Sequence, residues 1–204
     1  MPNAPYSNRY GQVYMITQPW ISNYTMEFFD YENLANNYKP SLIKILLIGE
    51  APPPSGKKYF YKVPENYFPS KSIENDTSLP GTIFNHYFGK RPNNSLEYEN
   101  FLEQLKENGI FLIDMINEPL KIRDRKLDNG INMTNLEKLF SDHNLRNLKN
   151  KVNKLKNEET ISIFLFARNY KKIYKDILKD NFPDSEFIRW IDFRLNITEE
   201  IINI

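Results

Sequence analysis

The sequence predicts an α/β fold of three layers, in which helices cover both faces of a short, mainly parallel, four-stranded sheet. Three observations predict it. Four brief apolar runs, Ile43–Ile48, Phe111–Ile116, Ile161–Phe166 and Phe187–Ile191, have the length and continuity of strands buried on both faces. Stretches with helical periodicity separate them, and strand–helix alternation is the pattern of a parallel sheet. Finally, the residues best suited to chemistry fall where these runs end: Glu50, Asp114 with Asn117, Arg168 and Arg194. Ligands of parallel sheets bind at those carboxyl ends.

Taken in order, residues 1–40 carry Trp20, Tyr24, Phe28, Phe29 and Tyr31 and read as an aromatic-rich extension packed on a core of residues 41–204, the whole forming one domain. The run Ser41 to Gly49 is bounded by Pro40 and Pro52 and is too short for a helix. From Ala51 to Asn94 the chain is rich in Pro, Asn, Ser and Tyr, with helical character expected only over Thr82–Phe88. Asn94 and Glu97 have the spacing of a capping box, Phe101, Leu102 and Leu105 share a helical face, and Gly109 supplies a stop. The second strand follows at once, over Ile110–Ile116. Thr134 and Glu137 repeat the capping spacing, and one helical pattern runs on through Leu136, Leu139, Phe140, Leu145, Leu148, Val152 and Leu155. Its segment LRNLKNKVNKLKN reads as an amphipathic helix with an exposed lysine face. Thr160–Phe166 is the third strand, Tyr170, Ile173, Tyr174, Ile177 and Leu178 mark a last helix, and Glu186–Phe193 contains the fourth strand.

Composition narrows the class. A chain of 204 residues suits a single domain, able to bury roughly 70% of its unfolded surface. With no cysteine it has no disulfide framework, thiolate nucleophile or thiolate metal site, and neither a metal nor a cofactor is expected. No apolar run reaches the roughly 20 residues of a membrane span, and the amino end lacks a signal pattern, so a cytoplasmic monomer away from the membrane is expected. Lys and Arg total 27 against 26 Asp and Glu, so polyanion binding would have to come from a local patch.

The stretch GEAPPPSGKK has glycines and lysines, yet it is a poor phosphate loop. Gly49 and Gly56 are too far apart, Lys58 stands where a hydroxyl would hold magnesium, and prolines lack the N–H groups that cradle phosphate. Nor do Pro52–Pro54 leave room for the three close glycines of a dinucleotide fingerprint. What the prolines supply is rigidity, fixing Glu50 at the strand's mouth.

In this setting LLIGEAPPPSGKKYFY resembles the first motif of the uracil-DNA glycosylase superfamily: a buried strand ending in Gly, then an acid or amide, a proline-bearing loop and an aromatic. FLIDMINEPLKIRD is similar to the segment after that superfamily's second strand, and FLFARNYKKIYKDIL to its third strand and helix, so the likeness spans about Ile43 to Arg194. The resemblance implies base flipping in DNA and hydrolysis of an N-glycosidic bond to a deaminated or damaged base, uracil or a relative. It puts Glu50 in charge of the attacking water. Gly49, Ala51 and Pro52, with a ring from Tyr59, Phe60 or Tyr61, would hold the base. Asp114, with Asn117 close behind, falls where an edge-reading Asn is usual. The superfamily's late motif carries a His, whereas here the fourth strand ends IDFRLN, leaving Arg194, or Arg168 after the third strand, as the cation for the departing base. The basic run Lys121, Arg123, Arg125 and Lys126 would meet DNA phosphates.

Other readings stand beside these. Glu50 also suits a turn-stabilising acid, Tyr59–Tyr61 core aromatics, Asp114 a buried ion pair, His86 a packing histidine, and the basic run a solvated loop. For the whole chain the alternatives are a catalytically silent module that binds nucleic acid or a nucleobase, and an unrelated parallel α/β hydrolase or nucleotide-binding protein. The catalytic reading requires that Glu50, one ring of Tyr59–Tyr61, Asp114 or Asn117, and a cation from Arg168 or Arg194 converge on one cleft.

Overall fold

The computed structural model describes residues 30–53, 59–65, 78–120, 137–166 and 171–189. Four parallel strands form one sheet in the order β2-β1-β3-β4: β1 (Ile45–Gly49), β2 (Ile110–Asp114), β3 (Ile161–Phe166) and β4 (Glu186–Arg189). The helices are α1 (Tyr31–Asn36), α2 (Leu79–Phe88), α3 (Ser95–Glu107), α4 (Asp142–Leu155) and α5 (Lys171–Leu178). The expected α/β fold with a short parallel sheet is therefore present.

The sheet order fixes the layers. The chain steps from β1 to β2 in one direction, then from β2 over β1 to β3, and on to β4, in the other. Right-handed crossovers then put α2 and α3 on one face and α4 and α5 on the opposite one. Side chains agree: Leu79 of α2 lies beside Gly49 on the first face, while Lys151 and Leu155 of α4 share a cavity with Phe111 and Ile113, which point to the second. Sandwiched in this way, Leu46, Leu47 and Ile48 of β1 are at most 1% exposed. Each such burial stabilises the fold by about 1.5–3 kcal/mol.

Local sequence explains the boundaries. Ser78 caps α2 by accepting from the Gly81 N–H, Pro80 sits in the first turn, and Gly89 closes the helix at φ 64°. The result is ten residues, longer than the turn expected over Thr82–Phe88. Asn94 caps α3 through the Glu97 N–H at 2.9 Å, but Glu97 reaches back to the N–H of Asn93, at 2.7 Å, rather than to that of Asn94. Gly109, at φ 78°, turns α3 into β2, and a Cβ there would stand 2.9 Å from the Leu42 carbonyl oxygen. β2 stops at Asp114, two residues before the expected Ile116, as the backbone bends over 115–118. The helical pattern expected to run unbroken to Leu155 is interrupted: residues 137–139 are helical, and α4 starts afresh at Asp142, where Ser141 caps it by accepting from the Asn144 N–H. Thr134, Tyr170 and Ile191 lie outside the described residues.

β2 is an edge strand, and Tyr61 blocks it. The Tyr61 hydroxyl donates to the Leu112 carbonyl at 3.0 Å and accepts from the Leu112 N–H at 2.7 Å, satisfying both outward groups of that residue. Phe60 and Tyr61 are 4% exposed and belong to an aromatic core with Phe84, Tyr98, Phe101 and Phe111. The Tyr98 hydroxyl pins this corner by donating to the Phe60 carbonyl. No described helix is long and apolar enough to cross a membrane.

Candidate functional site

At the carboxyl end of β2 a cavity of about 270 Å³ opens between α1, α4 and the sheet. Its walls include Tyr31, Glu32 and Asn36 from α1, Tyr59 from the loop after β1, Phe111, Ile113 and Asp114 from β2, Asn117, and Lys151 and Lys154 from α4. Each side chain arrives for a local reason. The sharp end of β2 brings Asp114 and Asn117 to the rim, and the T-shaped contact of Tyr31 with Tyr59 (4.8 Å between centroids) holds both rings at its side. The Tyr31 hydroxyl donates to the Pro53 carbonyl at 3.1 Å, so α1 also ties down the proline run that follows Glu50.

Gly49 and Asp114 are register partners on adjacent strands. A Cβ on Gly49 would lie 3.1 Å from Asp114 Oδ1, so the missing side chain is the room in which the carboxyl sits. Loss of water around that carboxyl raises its pKa to about 7, with Lys151 pulling it down and Glu50 pushing it up. Near neutrality the group therefore divides between an acceptor-only carboxylate and an acid that also donates. Burial lowers the pKa of Lys151, against the pull of Asp114 and Glu32. Burial likewise drives the Tyr59 hydroxyl far above its ordinary value, with Asp114 adding to the shift.

Lys151 ties the rim together. Its Nζ donates to Asn117 Oδ1 at 3.1 Å and to the Asp114 carbonyl at 3.3 Å. Three of the residues singled out from sequence, Tyr59, Asp114 and Asn117, thus line one cavity, and Glu50, half-buried at the end of β1, is close enough to act on Asp114. Gly49 underlies the carboxyl, while half-buried Ala51 and buried Pro52 continue the loop behind Glu50. Phe60 and Tyr61 are core and edge-blocking residues and are not among the cavity's walls. Arg168, Arg194, Lys121, Arg123 and Arg125 lie outside the described residues. His86 packs edge-on against Tyr87 at 4.8 Å, and burial lowers its pKa. Among the described residues no group of three His, Cys, Asp or Glu side chains is placed to hold a metal.

Sequence reasoning missed Lys151, Tyr31 and Glu32. Lys151 carried a signal: it follows Leu148 by three residues and precedes Leu155 by four, so it belongs beside the apolar stripe of α4 and not on its solvent face. Tyr31 and Glu32 lay in a segment without strong periodicity.

Comparison with family models, with curated proteins and with solved structures finds no match.

Proposed function

We propose that the protein is a glycosylase of the uracil-DNA glycosylase type, which flips a deaminated or damaged base out of DNA and hydrolyses its N-glycosidic bond. The observation that carries this reading is that Glu50, at the end of β1, acts electrostatically on Asp114, at the end of β2. The Asp114 carboxyl occupies the room left by Gly49, and Asp114 also lines a tyrosine-walled cavity of which Glu50 is not a wall. In this reading the base lies against Tyr59, and its edge meets Asp114 and Asn117. Glu50 takes a proton from the water whose oxygen attacks the sugar C1′, and the C1′–N bond breaks with its electron pair leaving on the base. Exposed Lys39 and Lys154 also line the cavity, and in this reading they would meet phosphates flanking the inserted base.

Asp114 stands where an amide would be the ordinary edge-reader. A carboxylate can take an N–H but repels a neighbouring carbonyl, and Asn117 supplies the missing donors. The pair therefore does together what one amide does elsewhere.

The test is single-turnover excision from oligonucleotides carrying uracil, hypoxanthine, xanthine or other lesions. Wild type releases a base, and Glu50→Gln cuts the rate by about 10²–10⁴ while DNA binding persists. Binding without release from any lesion would leave the silent module, and neither binding nor release would leave only the fold.

A further inference from the structure

We propose that Lys151 is a nucleophile: its Nζ condenses with an aldehyde admitted to the cavity and forms an imine. The substrate class is a phosphate-bearing aldehyde, whose two sources are the open-chain sugar of an abasic site in DNA and a free phosphorylated aldehyde. The inference goes beyond the glycosylase reading, in which water is the only nucleophile.

The partners of Lys151 set it apart from other lysines of the chain. Lys90, Lys106 and Lys138 pair with the carboxylates of Glu97, Glu103 and Glu118, at 2.6, 3.2 and 2.8 Å. Lys151 forms no such pair among the described residues. Its Nζ donates there to two neutral oxygens, Asn117 Oδ1 at 3.1 Å and the Asp114 carbonyl at 3.3 Å. A neutral amine has two hydrogens and one lone pair, so these two acceptors take both hydrogens and leave the lone pair for an electrophile. Lys151 also lines the cavity, whose walls include Tyr59, Phe111 and Ile113. A lysine drawn out of water beside apolar and aromatic walls is the kind that attacks carbonyls. Burial lowers its pKa even against the pull of Asp114 and Glu32, which enlarges the neutral, nucleophilic fraction.

The condensation balances without a cofactor. The lone pair on Nζ forms a bond to the carbonyl carbon, the C–O bond breaks, and the oxygen leaves as water with the two hydrogens that the amine gives up. Nothing is oxidised or reduced. Exposed Lys39 and Lys154 line the same cavity, and they supply the cations that a phosphate on the aldehyde would meet. An abasic site fits this class, since its open-chain sugar has an aldehyde at C1′ and a phosphate on O3′. The imine there makes the C2′ hydrogens acidic. Loss of one to water sends its electron pair into a C2′–C3′ double bond, the C3′–O bond breaks with its pair leaving on the phosphate, and the strand is nicked. Hydrolysis of the imine then returns the free lysine.

The test is reductive trapping of the full chain at pH 7. Cyanoborohydride converts the imine to a stable secondary amine, and peptide mass mapping locates it. One arm uses an oligonucleotide with a preformed abasic site, the other glyceraldehyde 3-phosphate with glyceraldehyde as its phosphate-free control. The adduct should form on Lys151 ahead of exposed Lys39 and Lys154, and an adduct in only one arm identifies the source of the aldehyde. Lys151→Arg keeps donors for Asn117 and the Asp114 carbonyl but cannot condense, so it should lose the adduct while melting near the wild-type temperature. Lys151→Met should lose it too. Adducts that form on Lys39 or Lys154 at least as fast as on Lys151, or trapping that survives Lys151→Arg elsewhere in the chain at the wild-type rate, overturn the proposal, as does the absence of any adduct in both arms. Glyceraldehyde reacting with Lys151 as fast as its phosphate overturns the substrate class. Because the abasic site is made beforehand, trapping does not depend on excision. Trapping on Lys151 without release of a base sustains this inference while the glycosylase reading falls, and release of a base without trapping does the reverse.

Discussion

Gly49 and Asp114 form the smallest unit on which the site depends. Gly49→Ala would set a methyl 3.1 Å from Asp114 Oδ1, with the Ile113 carbonyl oxygen at 3.8 Å behind it. The carboxyl must give way by a few tenths of an ångström, which its χ angles allow, so the expected cost in stability is small, about 1 kcal/mol. On the glycosylase reading the cost to function is expected to be larger, because the displaced carboxyl is the group that reading assigns to the base edge. Base affinity or excision should fall at least about 10-fold while chemical denaturation shows a protein still folded. Asp114 itself predicts a pH effect. Its folded pKa of about 7 lies above the ordinary 3.8, so the folded state holds the proton more tightly than the unfolded chain. Stability contributed by the protonated carboxyl is then lost as pH rises from about 4 through 7. The groups acting on it are Glu50, which raises the pKa, and Lys151, which lowers it, while Glu32 and the Tyr31 and Tyr59 rings stand nearby. Asp114→Asn should therefore unfold at a higher temperature than wild type at pH 8, and by little or nothing at pH 4. Solvent reaching the cavity limits the gain to about 1–2 kcal/mol, or several degrees at about 2–4 °C per kcal/mol. Equal melting temperatures at both pH values would show that the carboxyl is not strained by burial.

Single elements show where pattern succeeds and where it fails. The apolar runs of β1 and β3 contain no competing signal, and the strands stand where those runs lie. β2 overran its true end because Met115 and Ile116 are apolar and buried, although the backbone has already bent there. Hydrophobicity records burial, and a buried turn looks like a strand. α4 hid its start for the opposite reason: Leu139 and Leu145 keep a helical phase across Ser141, whose capping bond is invisible to periodicity. Tyr61 was legible as an aromatic and not as a part of the sheet. Its test is Tyr61→Phe, which keeps the ring in the core but strips the Leu112 N–H and carbonyl of their shared partner. Leaving buried polar groups unpaired costs about 1–3 kcal/mol each. The variant should lose about 2–4 kcal/mol in urea denaturation, and amide exchange at Leu112 should quicken. A loss under 0.5 kcal/mol would mean that water replaces the hydroxyl at the edge of β2.

At the scale of the whole molecule, the parallel sheet was legible because its evidence is distributed: four runs and the helices between them repeat the same message. The site was legible only where a residue broke a pattern, as Glu50 does after a strand and Asp114 does within an apolar run. Lys151 stands among the other lysines of an amphipathic helix, where its place beside the apolar stripe is a weak signal, and α1 joins the cavity through a fold-back of the chain that no local spacing encodes. Charge is the remaining whole-molecule property. With 27 basic against 26 acidic residues there is little net field to steer DNA toward the protein, so on the glycosylase reading affinity must come from a few contacts near the cavity. Exposed Lys39 and Lys154 lie on its two helical sides, one just past α1 and the other on α4, and Glu32 and Asp114 between them keep the cavity itself from being a general anion trap. Two phosphate contacts contribute about 1.8 to the slope of log affinity against log salt. The double variant Lys39→Gln, Lys154→Gln should therefore bind DNA more weakly whatever its sequence, with a slope shallower by about that amount, while its affinity for a free base stays within about twofold, because neither amine meets the base edge in this arrangement. Fluorescence anisotropy across a salt series measures the slope directly. Should the slope hold at its wild-type value, the phosphates pass elsewhere, and Lys121, Arg123 and Arg125 are the next cations to neutralise.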